Sequence, residues 1–219
     1  MFDKYDASHL TMDVLYSDDH CVVVYKPSGL LSVPGKGPEK ADCVVSRVRE
    51  MFPGCIEHPE AHRLDMSTSG ILILGLTLEA KRNLSTEFRE RRVGKKYEAI
   101  LDGEVRGDSG EIDLPLRLDW FNSPIRIYDP LQGKKCITLW QKLDYFDGKT
   151  RIAFDLITGR THQLRVHSSH KFGLGCPIVG DNLYGTRNPG ERLMLHSRYL
   201  KVAHPVTGEM LEFDRAPDF

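Results

Sequence analysis

The sequence predicts an α+β protein with a mixed, largely antiparallel sheet and flanking helices. Three observations predict it. From Gly94 to Ile157 short β-rich runs follow one another with no helical crossover between them, which favours antiparallel pairing. Two amphipathic helical segments precede that region and a shorter one follows it. No low-complexity linker, internal repeat or heptad pattern interrupts the 219 residues, so a single domain over 1–219 is expected, with its core from about residue 12.

Each element has a local cause. HCVVVYK (20–26) is a β-branched run stopped by the turn residues Pro27, Ser28 and Gly29. Asp42 is the expected cap of a helix whose apolar positions are Val44, Val45, Val48, Met51 and Phe52, ended by Pro53-Gly54. GILILGL (70–76) reads as a buried strand. Thr77 then caps a helix with Ala80, Leu84 and Phe88 on one face. After Gly94 come KKYEAILDGEV, EIDLPLRL, PIRIYD, CITLWQKLDYF and KTRIAFDLI as strands. A short helix is expected over THQLRVHSSHKF, then a Gly/Pro loop and two last strands, RLMLHSRYLKVAH and EMLEF.

Composition excludes several classes. Hydrophobic residues are 40% and charged residues 28%, with a net charge of -1, so a disordered chain, a collagen-like repeat and a disulfide scaffold are out. No apolar run approaches the roughly 18 residues that span a bilayer, and the first ten residues lack the basic and apolar regions of a secretory leader. The five cysteines are odd in number and contain no CxxC pair, which suits reduced thiols. A cytoplasmic monomer with no membrane contact is expected.

Charge is segregated beneath the neutral total. Residues 1–20 carry five aspartates against Lys4. Arg89 to Lys96 holds five cations and one anion, and no carboxylate occurs from Leu156 to Gly180, where Arg160, Arg165 and Lys171 stand among His162, His167 and His170. Such basic segments suit a phosphate-rich partner. Other motifs carry less. VPGKGPEK (33–40) lacks the glycine spacing and the hydroxyl residue of a phosphate loop. The three histidines have no Cys or carboxylate near them in sequence, and Arg165 between them would repel a cation, so no metal is expected.

The most informative stretch is AHRLDMSTSG (61–70), running into GILILGL. A carboxylate beside an arginine, then small hydroxyl residues and a glycine before a buried strand, describes a loop held against a rigid sheet. Taken alone, Asp65 reads as a salt-bridged or capping residue, Tyr97 as an ordinary strand tyrosine and Arg165 as a surface arginine. In combination and in order, HRLDMSTSG, KKYEA and LITGRTHQLRVH resemble the signature of the RluA-class RNA pseudouridine synthases. The resemblance extends to VVVYKPSGLLSVPG, PIVGDNLYG (177–185) and LMLHSRYLKVAHP, covering the chain from about Val22 onward. It departs at Tyr25, where the family has Asn, and at Cys176, where it has His. The SSHKFGLG stretch before Cys176 is also longer than the family pattern.

The resemblance implies the pseudouridine synthase catalytic fold in a short form without the small amino-terminal RNA-binding domain. It implies isomerisation of uridine in structured rRNA, with a tRNA anticodon stem-loop as a second substrate, and no cofactor. Asp65 is then the essential carboxylate, acting on the anomeric carbon, on the uracil ring or as a base at the ribose. Arg165 keeps it ionised, Tyr97 stacks on the target base, and Leu164 forms an apolar wall. Arg63 fills the gap left by a flipped nucleotide. Arg89, Arg91, Arg92, Lys95 and Lys96 on one side, with Arg160 and Lys171 on the other, are the expected backbone contacts. Two rivals remain open: a catalytically silent RNA-binding or remodelling protein on the same fold, and a glycosidase that would release uracil.

Overall fold

A computed structural model describes residues 5–186 and 191–219. Asp3 and Lys4 of the acidic amino-terminal stretch lie outside the described residues. Among those described are nine strands of a mostly antiparallel sheet, a separate two-stranded ribbon and three α-helices. The chain divides into two compact units, 1–94 with 197–216, and 95–196 with 217–219.

In the first unit β1 (Asp13–Ser17) pairs antiparallel with β2 (Cys21–Lys26), and β2 with β3 (Ser69–Gly75). Every residue of β3 is buried, as its unbroken apolar run demands. The carboxy-terminal strand β10 (Leu195–Ala203) follows β3 in the sheet and carries β11 (Met210–Asp214) antiparallel on its other side. Backbones meet so closely at β3 that a Cβ on Gly70, at φ 121°, would lie 2.3 Å from the Ser197 carbonyl oxygen. Only glycine fits there. The core is Cys21 and Val23 of β2, Ile71 and Ile73 of β3, and Leu200 and Val202, with Leu84 laid across them.

Leu84 comes from α2 (Leu78–Arg89), whose Thr77 side chain accepts from the Ala80 N–H as the sequence predicts. The helix α1 (Val44–Met51) buries Val44, Val45 and Val48, but its cap is Cys43, not Asp42. Cys43 and Ser46 satisfy each other's backbone N–H groups reciprocally. Asp42 is drawn off by Arg47, which donates from Nε at 2.8 Å and Nη2 at 2.7 Å. A guanidinium fork outcompetes two backbone donors for that carboxylate.

The second unit is built on β4 (Gly94–Asp102), β9 (Lys149–Leu156), β8 (Ile137–Phe146) and β5 (Ser109–Asp113), in that order and antiparallel. EIDLPLRL is not one strand. Pro115 divides it into β5 and β6 (Leu116–Leu118), and β6 pairs instead with β7 (Arg126–Tyr128) as the ribbon. The last helix, α3 (Gln163–Ser169), is shorter than the predicted segment, and His170-Lys171-Phe172 leave it as a turn.

Candidate active site

Asp65 sits on the loop between α1 and β3, half-buried, with Arg63 exposed and Leu64 buried beside it. The loop's backbone is fastened residue by residue. Ser32 Oγ donates to the Leu64 carbonyl at 2.7 Å and accepts from the Leu64 N–H at 3.1 Å. The Asp65 carbonyl takes the Thr68 N–H, and the Ser67 carbonyl takes Ser28 Oγ at 2.7 Å. The Met66 carbonyl accepts from both the Gly29 N–H and Lys26 Nζ, each at 2.9 Å. Every carbonyl from 64 to 67 is thus occupied, three of them by residues 26–32.

Lys26 is the hub of this clamp and is fully buried at the end of β2. Its ammonium also donates to the carbonyls of Leu30 at 2.7 Å and Pro27 at 3.0 Å. Burial pushes its pKa down from 10.5 to about 7, while the charge of Asp65 pulls it back up. In the sequence Lys26 reads only as the last residue of the β-branched run 20–26, and no functional role is expected of it. A lysine closing a β-branched buried run, directly before Pro-Ser-Gly, was the signal. His62 anchors the loop's other end. Its Nε2 accepts from the Ile73 N–H at 3.2 Å, and its ring stacks on Phe88 of α2 at 4.1 Å.

In the second unit Tyr97 lies buried on β4 opposite Phe154 of β9. Arg165 and Leu164 are buried on α3. Arg165 is no surface arginine: it forms a two-pronged ion pair with Asp181, Nε to Oδ2 at 2.8 Å and Nη2 to Oδ1 at 2.6 Å. Burial alone would raise the Asp181 pKa, but Arg165 and the N–H groups of Leu183 and Tyr184 hold it below the ordinary carboxylate value. Tyr184 lies under the guanidinium, 5.4 Å from ring centre to Cζ. Its hydroxyl meets His162 Nδ1 at 2.8 Å and accepts from the Arg126 N–H at 2.7 Å.

The segment leading into α3 is held by Gln163. Its amide oxygen accepts from Thr158 Oγ1 and the Arg160 N–H, and its NH2 donates to the Ile137 carbonyl and Thr138 Oγ1. Arg160 itself is exposed. Arg91 and Arg92 lie exposed in the turn just after α2, where a helix carboxy-terminus favours cations. Arg92 Nη2 is bonded to Glu87 at 2.7 Å. Lys95 and Lys96 open β4.

The three clustered histidines do not converge as ligands. His162 faces Tyr184, His167 Nε2 faces the Leu114 carbonyl, and His170 Nδ1 accepts from the Phe172 N–H. Among the described residues Asp18, Cys21 and His204 do bring ligand atoms within 4.8 Å of one another. That cluster is a hydrogen-bonded knot. Asp18 accepts from Tyr16, from the N–H groups of His20 and Cys21, and from His204 Nε2 at 2.7 Å. His204 Nδ1 accepts from the Val206 and Thr207 N–H groups, which fixes the proton on Nε2. Burial pushes the Cys21 thiol up to about 12, so it is a poor ligand.

Comparison with known proteins supplies the class. Residues 20–170 match the family model described as RNA pseudouridylate synthase. The chain belongs to that family, in its RluA group, and is an RNA pseudouridine synthase, an isomerase. It is 43% identical over 212 residues to the dual-specificity RNA pseudouridine synthase RluA of Haemophilus influenzae, covering 95% of this chain and 94% of the relative. Identity to the protein of the same name from Escherichia coli K12 is 41% over 210 residues, 94% of this chain and 93% of that one. Among solved structures, human RNA pseudouridylate synthase domain containing 1 superposes with a TM-score of 0.76 at 29% identity, covering 95% of this chain and 84% of that one.

Proposed function

We propose that the protein converts uridines to pseudouridine in structured rRNA and, as the dual specificity of its relatives suggests, in tRNA, acting in the cytoplasm as a single catalytic domain. The reaction breaks the bond from N1 of uracil to C1′ of ribose and makes one from C5 to C1′. C5 loses its proton and N1 gains one, so atoms and electrons balance without a co-reactant. Asp65 is the essential carboxylate of this exchange. Arg165 is the basic residue of the centre, Tyr97 stacks on the uracil, Leu164 walls the ring, and Arg63 enters the stack vacated by the flipped nucleotide. Arg160, Arg91, Arg92, Lys95 and Lys96 steer the phosphate backbone.

The observation that carries this reading is the clamp on the Asp65 loop. Four successive carbonyls are occupied while the Asp65 side chain stays half-buried and Arg63 exposed. A carboxylate acting on an extruded nucleoside needs such fixed placement, because small errors of position are costly in rate. The test is Asp65→Asn, incubated with total RNA from a strain lacking the gene and read by chromatography of the nucleosides. RNA binding is expected to persist with no pseudouridine formed. Clear residual turnover removes Asp65 as the catalyst, and free uracil in the wild-type reaction replaces the isomerase with a glycosidase. Arg63→Ala should harm modification of structured RNA more than of loosely folded RNA, and equal losses on both would count against its role.

A further inference from the structure

The turn after α3 builds a surface that the reaction itself does not use. Phe172 is 60% exposed at its tip, although large aromatic side chains are ordinarily buried. Its ring meets Tyr128 of β7 edge-on at 5.7 Å and His170 at 5.4 Å, and Tyr128 meets His170 at 5.2 Å, so three rings form one cluster. Lys171 Nζ stands 5.0 Å from the Phe172 ring centre. The turn is rigid. The carbonyls of His167, Ser168 and His170 take the N–H groups of residues 173–176, and a Cβ on Gly173 would lie 2.0 Å from the His167 carbonyl oxygen. His170, Lys171 and Phe172 of this cluster lie within the 25 residues from 156 to 180 that contain no carboxylate.

We propose that Phe172, Tyr128 and His170 form a stacking platform for an unpaired base of the RNA, with Lys171 on the adjoining phosphate. An exposed ring beside a cation, in an acid-free segment and held by backbone hydrogen bonds, has the chemistry of single-stranded RNA recognition. Burial and the neighbouring Lys171 both lower the His170 pKa, which leaves its ring neutral at pH 7 and suited to stacking. A protein partner would find no carboxylate from 156 to 180 to pair with Lys171. The platform rests on the proposed function, since it binds the RNA on which that function acts.

Fluorescence anisotropy with a labelled 20-nucleotide single-stranded RNA tests the platform, together with KM on total RNA from the deletion strain. Phe172→Ala is expected to weaken binding about tenfold, from the loss of one stacked base, with the change falling on KM. Phe172→Trp should restore it. Lys171→Ala should lower the slope of log affinity against log salt by about 0.7, one single-strand phosphate contact. With 4-thiouridine in the RNA, photocrosslinks should map to peptides holding Tyr128 or residues 170–172. Unchanged binding and KM in Phe172→Ala overturn the platform, as does a crosslink of this surface to protein in place of RNA. If wild-type protein makes pseudouridine while Phe172→Ala binds as tightly as wild type, only the platform fails. If wild type makes none, the proposed function fails first.

Discussion

The Asp65 loop and the Arg165 helix solve the same problem with different forces. Each must present a charged side chain without letting its backbone wander. In the first unit the loop is fastened through its own carbonyls, by two serine hydroxyls, backbone N–H groups and one buried ammonium. In the second, α3 is short, and Arg165 is fixed at its tip by Asp181 and the face of Tyr184. Neutral hydrogen bonds spread a small cost over many residues. A buried ion pair concentrates a large one on two. The contrast teaches that the second unit should be the brittle one.

Asp181→Ala is therefore the sharpest way to break the comparison. It removes the carboxylate that grips the buried Arg165 guanidinium by two prongs, and a loss of about 3–5 kcal/mol in urea denaturation is expected. A loss below 1 kcal/mol would mean that the ion pair adds little. Lys26→Met should cost less, about 2–3 kcal/mol, because it strips donors from the Pro27 and Leu30 carbonyls while Met66 keeps the Gly29 N–H. Its effect on turnover should exceed its effect on stability, since the loop bearing Asp65 loosens first. Ser32→Ala, which removes one donor and one acceptor from Leu64, should cost about 1–2 kcal/mol.

Acid and alkali separate the two units through one buried titratable group in each. His167 in the second unit is buried, and its pKa is pushed down to about 4 from 6.5. The unfolded chain thus binds a proton more readily than the folded one between those values, and stability should fall as pH drops from about 6.5 to about 4. Lys26 in the first unit has its window between about 7 and 10.5. There the unfolded chain again holds the extra proton, so the lysine's contribution rises with pH across that range. His167→Asn should flatten the acid limb alone and Lys26→Met the alkaline limb alone, in denaturation curves taken across pH. Loss of both limbs in one variant would contradict the assignment.

Much of this was legible beforehand, and the exceptions share a cause. The runs that became β2 and β3, the helical spacing of α1 and α2 and the Thr77 cap are local patterns over a few residues, and they read correctly. The Asp42 cap did not, because Arg47 competes for the carboxylate five residues on and is itself bonded to the carbonyls of Ala7 and Leu10. EIDLPLRL reads as one strand until Pro115 divides it between two different partners. The hydroxyls of Ser28 and Ser32 reach loop carbonyls 39 and 32 residues away, and no periodicity reports that. Asp181 lies in a motif that the resemblance covers, yet nothing in the sequence names Arg165 as its partner.

By itself the sequence determined the element types, the order in which they occur and the family, because hydrophobic period, turn residues and long motifs are properties of neighbouring positions. The tertiary structure alone decided that Lys26 would be buried among carbonyls, that Arg165 would be held by Asp181, and that Phe172 would stand exposed beside Tyr128. These outcomes depend on which distant groups the folded chain brings within hydrogen-bonding or van der Waals range. Such encounters are set by the sheet order, which no local pattern encodes.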